Sequence, residues 1–402
     1  TCLASDRVDA TWAYSHDEGQ VVVAGPVYQG QGIPGLAGKA LVADYLAGWI
    51  KAVALDADGA AQVQPLVQDT GLRFSGFAED LAGEVYVLGF SGRAEIHKLV
   101  PATSDPGEPS TVPTLLSETG CFDPADPSQP MDAMIPYGLN APFWSDGLAK
   151  ERWFAIPDGT HIEVGTDGGW SLPVGSVVAK AFRSGGALVE TRLLMHHEDG
   201  WAGYTWVWEG DDAVRVDTGR RLELDEQIYA VPQTWQCLAC HREEAGRTLG
   251  VETAQLDGSH TYPATGRTAE QLLTLQHIGI LVEAPSPVEP LVDPNAGTPE
   301  AGRAWLHANC AMCHRSDTPT AGALDLRWTR ELTDMGLCDI PPADADLGLT
   351  DARLLAPGDP ARSLIAVRPR RDDVWRMPPM GSLVVDEVGL TGVDAWIHSV
   401  QA

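Results

Sequence analysis

No stretch of about 18 consecutive apolar residues occurs in these 402 residues, so no membrane-spanning helix is expected. No leader with a basic start, an apolar middle and a small-residue cleavage site is visible either. Basic residues are scarce: 27 Lys and Arg stand against 56 Asp and Glu, a net charge of −29. That imbalance argues against nucleic acid and anionic membrane surfaces as partners. It suits a basic partner protein, or simply a solvated acidic surface. Cysteine is sparse as well, with seven in the chain. What is present is enough apolar content, 44%, to build real cores, and enough length for two to four domains.

Four of the seven cysteines fall in two short segments of one pattern. Trp235-Gln236-Cys237-Leu238-Ala239-Cys240-His241 and Asn309-Cys310-Ala311-Met312-Cys313-His314 each contain Cys-x-x-Cys-His. This is the attachment pattern of a c-type haem. Two thiols two residues apart reach the two vinyl groups of a porphyrin, and the adjacent His lies under the iron as its proximal ligand. A zinc site would need further ligands at zinc spacing, and a redox dithiol would need a βαβ context. Neither accompanies these segments. Two covalently bound haem c groups are therefore expected, held by Cys237, Cys240 and His241 and by Cys310, Cys313 and His314. Covalent haem attachment takes place outside the cytoplasm, so a periplasmic or extracellular location is expected, with a leader removed or lying upstream.

Cys2, Cys121 and Cys338 remain. An oxidising compartment allows one disulfide among them. Cys121 and Cys338 are the expected pair, because both lie in loop-like sequence flanking the haem regions.

Residues 1–105 read as an antiparallel β-meander. Short apolar runs such as Lys39–Tyr45, Trp49–Leu55, Phe74–Glu79, Glu84–Phe90 and Ala94–Val100 are separated by Gly-containing turns. His16-Asp17-Glu18-Gly19, Val27-Tyr28-Gln29-Gly30, Ala43-Asp44-Tyr45 and Phe77–Leu88 resemble the closing blades of soluble sugar dehydrogenases, six-bladed propellers that use pyrroloquinoline quinone. The resemblance covers about a quarter of the chain, and roughly 100 residues do not close a propeller of four-stranded blades. The quinone is not expected on this chain alone. Residues 106–120 form a Pro-rich linker.

Residues 121–290 are expected to be a β-rich domain carrying the first haem. Strand-like runs at Lys150–Ile156, Ile162–Val164, Ser176–Phe182, Val189–Met195 and Tyr204–Trp208 precede the motif. Trp144, Trp153, Trp170, Trp201, Trp206 and Trp208 form a cluster that either walls a porphyrin or is ordinary core. Thr268-Ala269-Glu270-Gln271 reads as a capping box opening a helix that ends at Gly279.

Residues 291–402 are expected to be a mainly α domain resembling class I cytochrome c. Thr298 caps a helix with Pro299 at its first position, and Ala301, Ala304, Trp305 and Ala308 form its buried face. The second motif follows, then a loop-rich middle, Met377-Pro378, and a closing helix with Leu390, Val393, Trp396 and Ile397 on one stripe. The expected fold class is thus multidomain: N-terminal antiparallel β, a β-rich haem domain and a C-terminal mainly α domain.

Two axial ligands suit pure electron transfer. For the second haem they are His314 and Met377, with Met380 as the rival. For the first they are His241 and, from a short helix beside a Gly stop, His277. Met195, His196, His197 and His260 compete with His277. Arg362, Arg368, Arg370 and Arg371 suit either haem propionates or surface charge.

Thr119-Gly120-Cys121-Phe122, Phe143-Trp144-Ser145-Asp146-Gly147, Gly203-Tyr204, Gly266-Arg267-Thr268 and His277-Ile278-Gly279 carry a wider resemblance. From Cys121 onward the chain is similar to dihaem c-type cytochromes often fused behind a sugar-dehydrogenase propeller. The resemblance implies electron transfer from a donor dehydrogenase module to an external acceptor through a redox partner protein, with no catalytic residue on this chain. A dihaem peroxidase with one open iron site, and a subunit of an extracellular cytochrome filament or redox complex, are the alternatives.

Overall fold

A computed structural model of the chain describes all residues except 1–9, 15–17, 58, 68–71, 92, 102–111, 218, 225–226, 317, 319–323, 344, 374 and 402. Cys2, His16, Asp17 and most of the Pro-rich linker lie outside the described residues. Two compact units result, Thr1–Thr111 and Val112–Ala402. The two domains expected on either side of residue 290 fall within the second. Among the described residues no helix is long and apolar enough to cross a membrane.

The first unit is antiparallel β. β1 (Val22–Val27), β2 (Ala40–Asp44), β3 (Ile50–Leu55) and β4 (Ala61–Val67) pair in sequence order, and β5 (Phe74–Glu79), β6 (Val85–Ser91) and β7 (Arg93–Lys98) form a second sheet. Asp44 ends β2 and organises the turn after it. Its carboxylate accepts from Leu46 N (2.8 Å), Ala47 N (2.7 Å), Val21 N (2.7 Å) and Tyr14 Oη (2.8 Å). Burial by itself would raise its pKa, but these donors outweigh it and the carboxyl is held below its ordinary value. A depressed carboxyl stabilises the fold above the unfolded pKa near 4, and that contribution is lost as pH falls below it. Asp44→Asn is therefore expected to cost the first unit about 3 kcal/mol at neutral pH. The variant should also show a flatter pH dependence below about pH 4. Hydrogen exchange in β1–β3 as a function of pH checks both.

The second unit opens with β8 (Phe122–Asp123), β9 (Asp126–Pro130) and β10 (Ile135–Pro136). β11 (Ala149–Ala155), β12 (Glu163–Val164), β13 (Trp170–Ser171), β14 (Val177–Ser184), β15 (Ala187–His197), β16 (Gly200–Glu209) and β17 (Asp212–Arg215) follow. β18 (Arg220–Leu224) and β19 (Gln227–Val231) make a hairpin before α1 (Thr234–Cys240). Then come α2 (Thr253–Leu256), β20 (Ser259–Tyr262), β21 (Arg267–Glu270) and α3 (Gln271–His277). The chain closes with α4 (Pro299–Cys310), α5 (Leu364–Val367) and α6 (Glu387–Ser399).

The main sheet is antiparallel in the order β10-β11-β14-β15-β16-β17. Its period-two alternation sorts side chains onto two faces. Trp153, Ala179, Ala181, Leu193 and Trp206 pack on one face with Val112, Leu116, Cys121 and Phe122. Phe154, Val178 and Leu194 pack on the other with Val251, Leu256, Leu275 and Leu281. α4 crosses α6 at Gly302 and Gly392, and Trp305, Leu390, Val393, Trp396 and Ile397 form a core around that crossing. Thr298 Oγ1 accepts from Ala301 N at 3.2 Å, with Pro299 at the first helical position.

The expected fold class needs correction. A mainly α C-terminal domain is not formed: residues 291–402 carry α-helices of only 12, 4 and 13 residues, separated by short 3-10 turns and irregular chain. Among the described residues of the whole chain, six short α-helices stand against twenty-one strands. Proline is the physical reason in the C-terminal stretch. Pro341, Pro342, Pro357, Pro360, Pro369, Pro378 and Pro379 each remove a backbone donor and interrupt helix propagation. The capping box is corrected as well. Thr268 lies in β21 opposite Thr261, their hydroxyls 2.7 Å apart, and no side chain caps α3. The helix begins at Gln271, whose buried amide accepts from Gly138 N (2.8 Å) and donates to Gly138 O (3.2 Å).

Candidate functional site

α1 delivers the first Cys-x-x-Cys-His segment to the sheet. Gln233 N donates to Gln236 Oε1 at 2.8 Å and starts the helix. Spacing of three residues then places Cys237 and Cys240 on one helical face. The helix lies against β16 at Gly203, where an added Cβ would come within 2.5 Å of Cys237 Cβ and 2.7 Å of its Sγ. Only glycine admits so close an approach. His241 closes the helix, its N–H donating to Cys237 O at 2.9 Å. Its Nδ1 meets Arg247 O at 2.5 Å, and Arg247 Nη1 donates back to His241 O at 3.1 Å. Donation from Nδ1 fixes the tautomer and leaves Nε2 as the basic nitrogen.

Burial, helped by the charges of Lys180 and Arg192, holds the His241 pKa down to about 3, so its ring is neutral. Burial raises Cys237 and pushes Cys240 up to about 11. Both are thiols at neutral pH, not thiolates.

The second segment is carried by the end of α4. Cys310 is the last helical residue, and Cys313 N (3.1 Å) and His314 N (2.9 Å) both donate to its carbonyl, coiling the chain tightly around it. Thr318 Oγ1 holds Cys313 O at 2.9 Å, and Leu326 N holds His314 O at 2.9 Å. Burial pushes Cys310 up to about 12 and raises Cys313. Burial and the Arg368 guanidinium hold His314 down to about 4. The buried His314 Nδ1 has no hydrogen-bond partner, unlike that of His241.

The two segments meet. After burial, the thiol of Cys313 is the largest influence on Cys240, and Arg242, next to His241, acts on Cys313. Direct bonds lock the two parts of the unit together. Trp144 N donates to Asn309 Oδ1 (2.8 Å), immediately before Cys310. His307 on α4 reaches Glu252 Oε1 through Nε2 (2.7 Å) and accepts from Trp328 N at Nδ1 (3.0 Å). Asp146 accepts from Ser382 Oγ (2.7 Å), Leu383 N (2.9 Å) and Val384 N (3.0 Å).

Beside α1, the sheet carries a feature that the sequence reading does not contain. Arg152 on β11, Lys180 on β14 and Arg192 on β15 are direct cross-strand partners in one row, continued by Thr205 on β16. Lys150 and Glu190 lie one step along on the same face. Glu190, fully buried, pairs with Arg192 and accepts from Tyr229 Oη at 2.6 Å. Lys150 Nζ donates to Phe143 O and to Ser145 Oγ (3.1 Å). Burial, with Arg152 and Arg192 nearby, holds Lys180 down to about 7. The alternation Lys150-Glu151-Arg152 and Glu190-Thr191-Arg192 signals strands, but not that the charged side turns inward.

Other expected ligands are not brought to the two segments. His277 is exposed at the end of α3. Among its competitors, His196 stacks on Trp201 at 4.4 Å with Nδ1 on Leu172 O (3.0 Å), and His197 Nε2 meets Tyr204 Oη at 3.1 Å. His260 keeps a buried Nε2 without a partner. Met377 lines a small cleft with Phe143, Trp144, Trp305, Pro369 and Leu390. Three of the four expected arginines are already paired, Arg362 with Asp359, Arg370 with Asp394 and Arg371 with Asp373. Arg368 lies over the Trp375 ring, 5.6 Å from its centroid. Trp153, Trp170 and Trp206 are core. Cys121 and Cys338 are not bonded to each other: Cys121 belongs to the core behind the main sheet, Cys338 packs on the α4–α6 core.

The cofactor expectation is corrected too. Two covalent haem c groups, with His241, His277, His314 and Met377 as metal ligands, were expected. Among the described residues, however, no three His, Cys, Asp or Glu side chains stand together to hold a metal ion. What the fold assembles is two buried thiol–thiol–imidazole sets, side by side. No family model, no curated protein and no solved structure matches the chain.

Proposed function

We propose that this chain is an electron carrier of the c-type cytochrome kind. It works outside the cytoplasm, between a donor protein, such as a quinoprotein dehydrogenase module, and a separate acceptor protein. The observation that supports this reading best is the meeting of the two Cys-x-x-Cys-His segments in one unit, with Cys240 and Cys313 close enough to influence each other's ionisation. Two redox centres that adjoin form a relay, whereas two that are held apart do not.

Three further features agree. The thiols are pushed up by burial, which disfavours the thiolate that a disulfide-exchange enzyme needs. Both imidazoles are neutral, the form that serves as a ligand. Burial and charge around a redox site set its potential, and the positive charges of Lys180 and Arg192 favour the reduced state at the first segment. The net charge of −29 suits a basic partner surface.

Potentiometric titration of the natively isolated protein, read in the visible spectrum, tests the proposal. Two reversible one-electron steps are expected. Replacing Cys310 and Cys313 with Ser should remove one and leave the other. Met377→Ala should lower the midpoint of the step that belongs to the second segment and leave the first in place. A protein that takes up no electrons reversibly is not a carrier, and the reading then fails.

A further inference from the structure

We infer that the cross-strand row Arg152–Lys180–Arg192 is an anion site, shaped to take a carboxylate-bearing ligand on the sheet face where α1 packs. Like charges directly opposite one another across strands destabilise a sheet. Buried cations without counter-charges cost several kcal/mol each. This row places three cations on adjacent strands, with Lys150 as a fourth one step away. Glu190 neutralises Arg192. The Lys150 ammonium is held by a carbonyl and a hydroxyl.

Arg152 and Lys180 are left over. Arg152 is 9% exposed, and its Nε has no acceptor. Lys180 makes no hydrogen bond or ion pair among the described residues. In the same row, the buried Thr205 Oγ1 also lacks a partner. A guanidinium edge, an ammonium and a hydroxyl therefore converge from three neighbouring strands with nothing to bind. A carboxylate has two oxygens and about four acceptor positions, which satisfies all three.

The placement is unusual for this chain. Its lysines are only Lys39, Lys51, Lys98, Lys150 and Lys180. Two of them sit on this one face of a protein with net charge −29. Solubility does not call for cations there. The charge of Lys180 reaches both Cys237 and Cys240, so the anion lies next to the first segment. Two sources share this chemistry: carboxylates borne on a group attached at those thiols, and a free dicarboxylate. The inference does not rest on the electron-carrier reading, because its test involves no redox step.

The test uses thermal midpoints, with sodium succinate as the probe and sodium chloride at matched ionic strength as the control. In a Cys237→Ser/Cys240→Ser variant, succinate should raise the midpoint saturably by about 3 °C or more. Adding Lys180→Met or Arg152→Met should abolish that rise. The native protein separates the sources. A midpoint insensitive to succinate but lowered by Lys180→Met assigns the anion to a group already attached. A native response equal to that of the serine variant assigns it to a free dicarboxylate. A native midpoint raised by Lys180→Met overturns the inference, since the row would then be an uncompensated charge. So does a folded serine variant with no saturable response. If the serine variant does not fold, the sign of the Lys180→Met shift in the native protein decides.

Discussion

Gly302→Ala is expected to destabilise the second unit by about 3 kcal/mol or more. Helix propensity alone points the other way, since Ala in place of Gly within a helix gains about 1 kcal/mol. The packing argument prevails because of what the new methyl would meet. An added Cβ at Gly302 comes within 2.2 Å of Gly392 O and 2.4 Å of Gly392 C. Those atoms are backbone, and no rotamer can move them aside. α4 and α6 would have to separate, opening the core of Trp305, Leu390, Val393, Trp396 and Ile397. The end of α4 carries Cys310, so the displacement reaches the second segment directly. Urea unfolding followed by helical circular dichroism checks the prediction. A variant as stable as the parent, or more so, would mean that the helices do not cross at these two glycines.

The second large effect is expected at Glu190. Glu190→Gln leaves Arg192 in the interior without its counter-charge, and breaking a buried ion pair from one side costs about 3–5 kcal/mol. The loss has a second part, because Tyr229 Oη donates to the same carboxylate at 2.6 Å. A Glu190→Gln/Arg192→Met double variant separates charge from packing. Removing both partners should restore much of the stability, as it does when a buried pair is replaced by apolar groups. Chemical denaturation of the four proteins closes the cycle. Equal losses in the single and double variants would show that shape, not charge, matters at this position.

Both predictions concern contacts that are invisible in one dimension, and the same division runs through the whole chain. Local signals were legible where the cause is local. Thr298 followed by Pro299 starts a helix because a side-chain oxygen and a missing N–H act within one turn. Leu390, Val393, Trp396 and Ile397 share a stripe because the helical period puts them there, and all four are buried. Where the cause is distant, sequence reasoning went astray. Thr268 had the spacing of a cap, but a partner hydroxyl on Thr261 drew it into a strand. His277 had the setting of a ligand, yet the packing of α3 through Leu275 turns it outward. Cys121 and Cys338 were the two cysteines left to pair, and the fold buries them in different cores.

The pattern Cys-x-x-Cys-His, its two occurrences and the acidic charge balance are properties of the chain itself, readable without any fold, because covalent spacing and side-chain chemistry define them. That the two segments adjoin was decided only by tertiary structure. It depends on Asn309 reaching Trp144 and on Asp146 holding Ser382, Leu383 and Val384, bonds between residues far apart in sequence. The inward row of Arg152, Lys180 and Arg192 belongs to the same class. Alternation along a strand tells which residues share a face, but pairing register and the elements packed above decide which face is buried and which charges stand together.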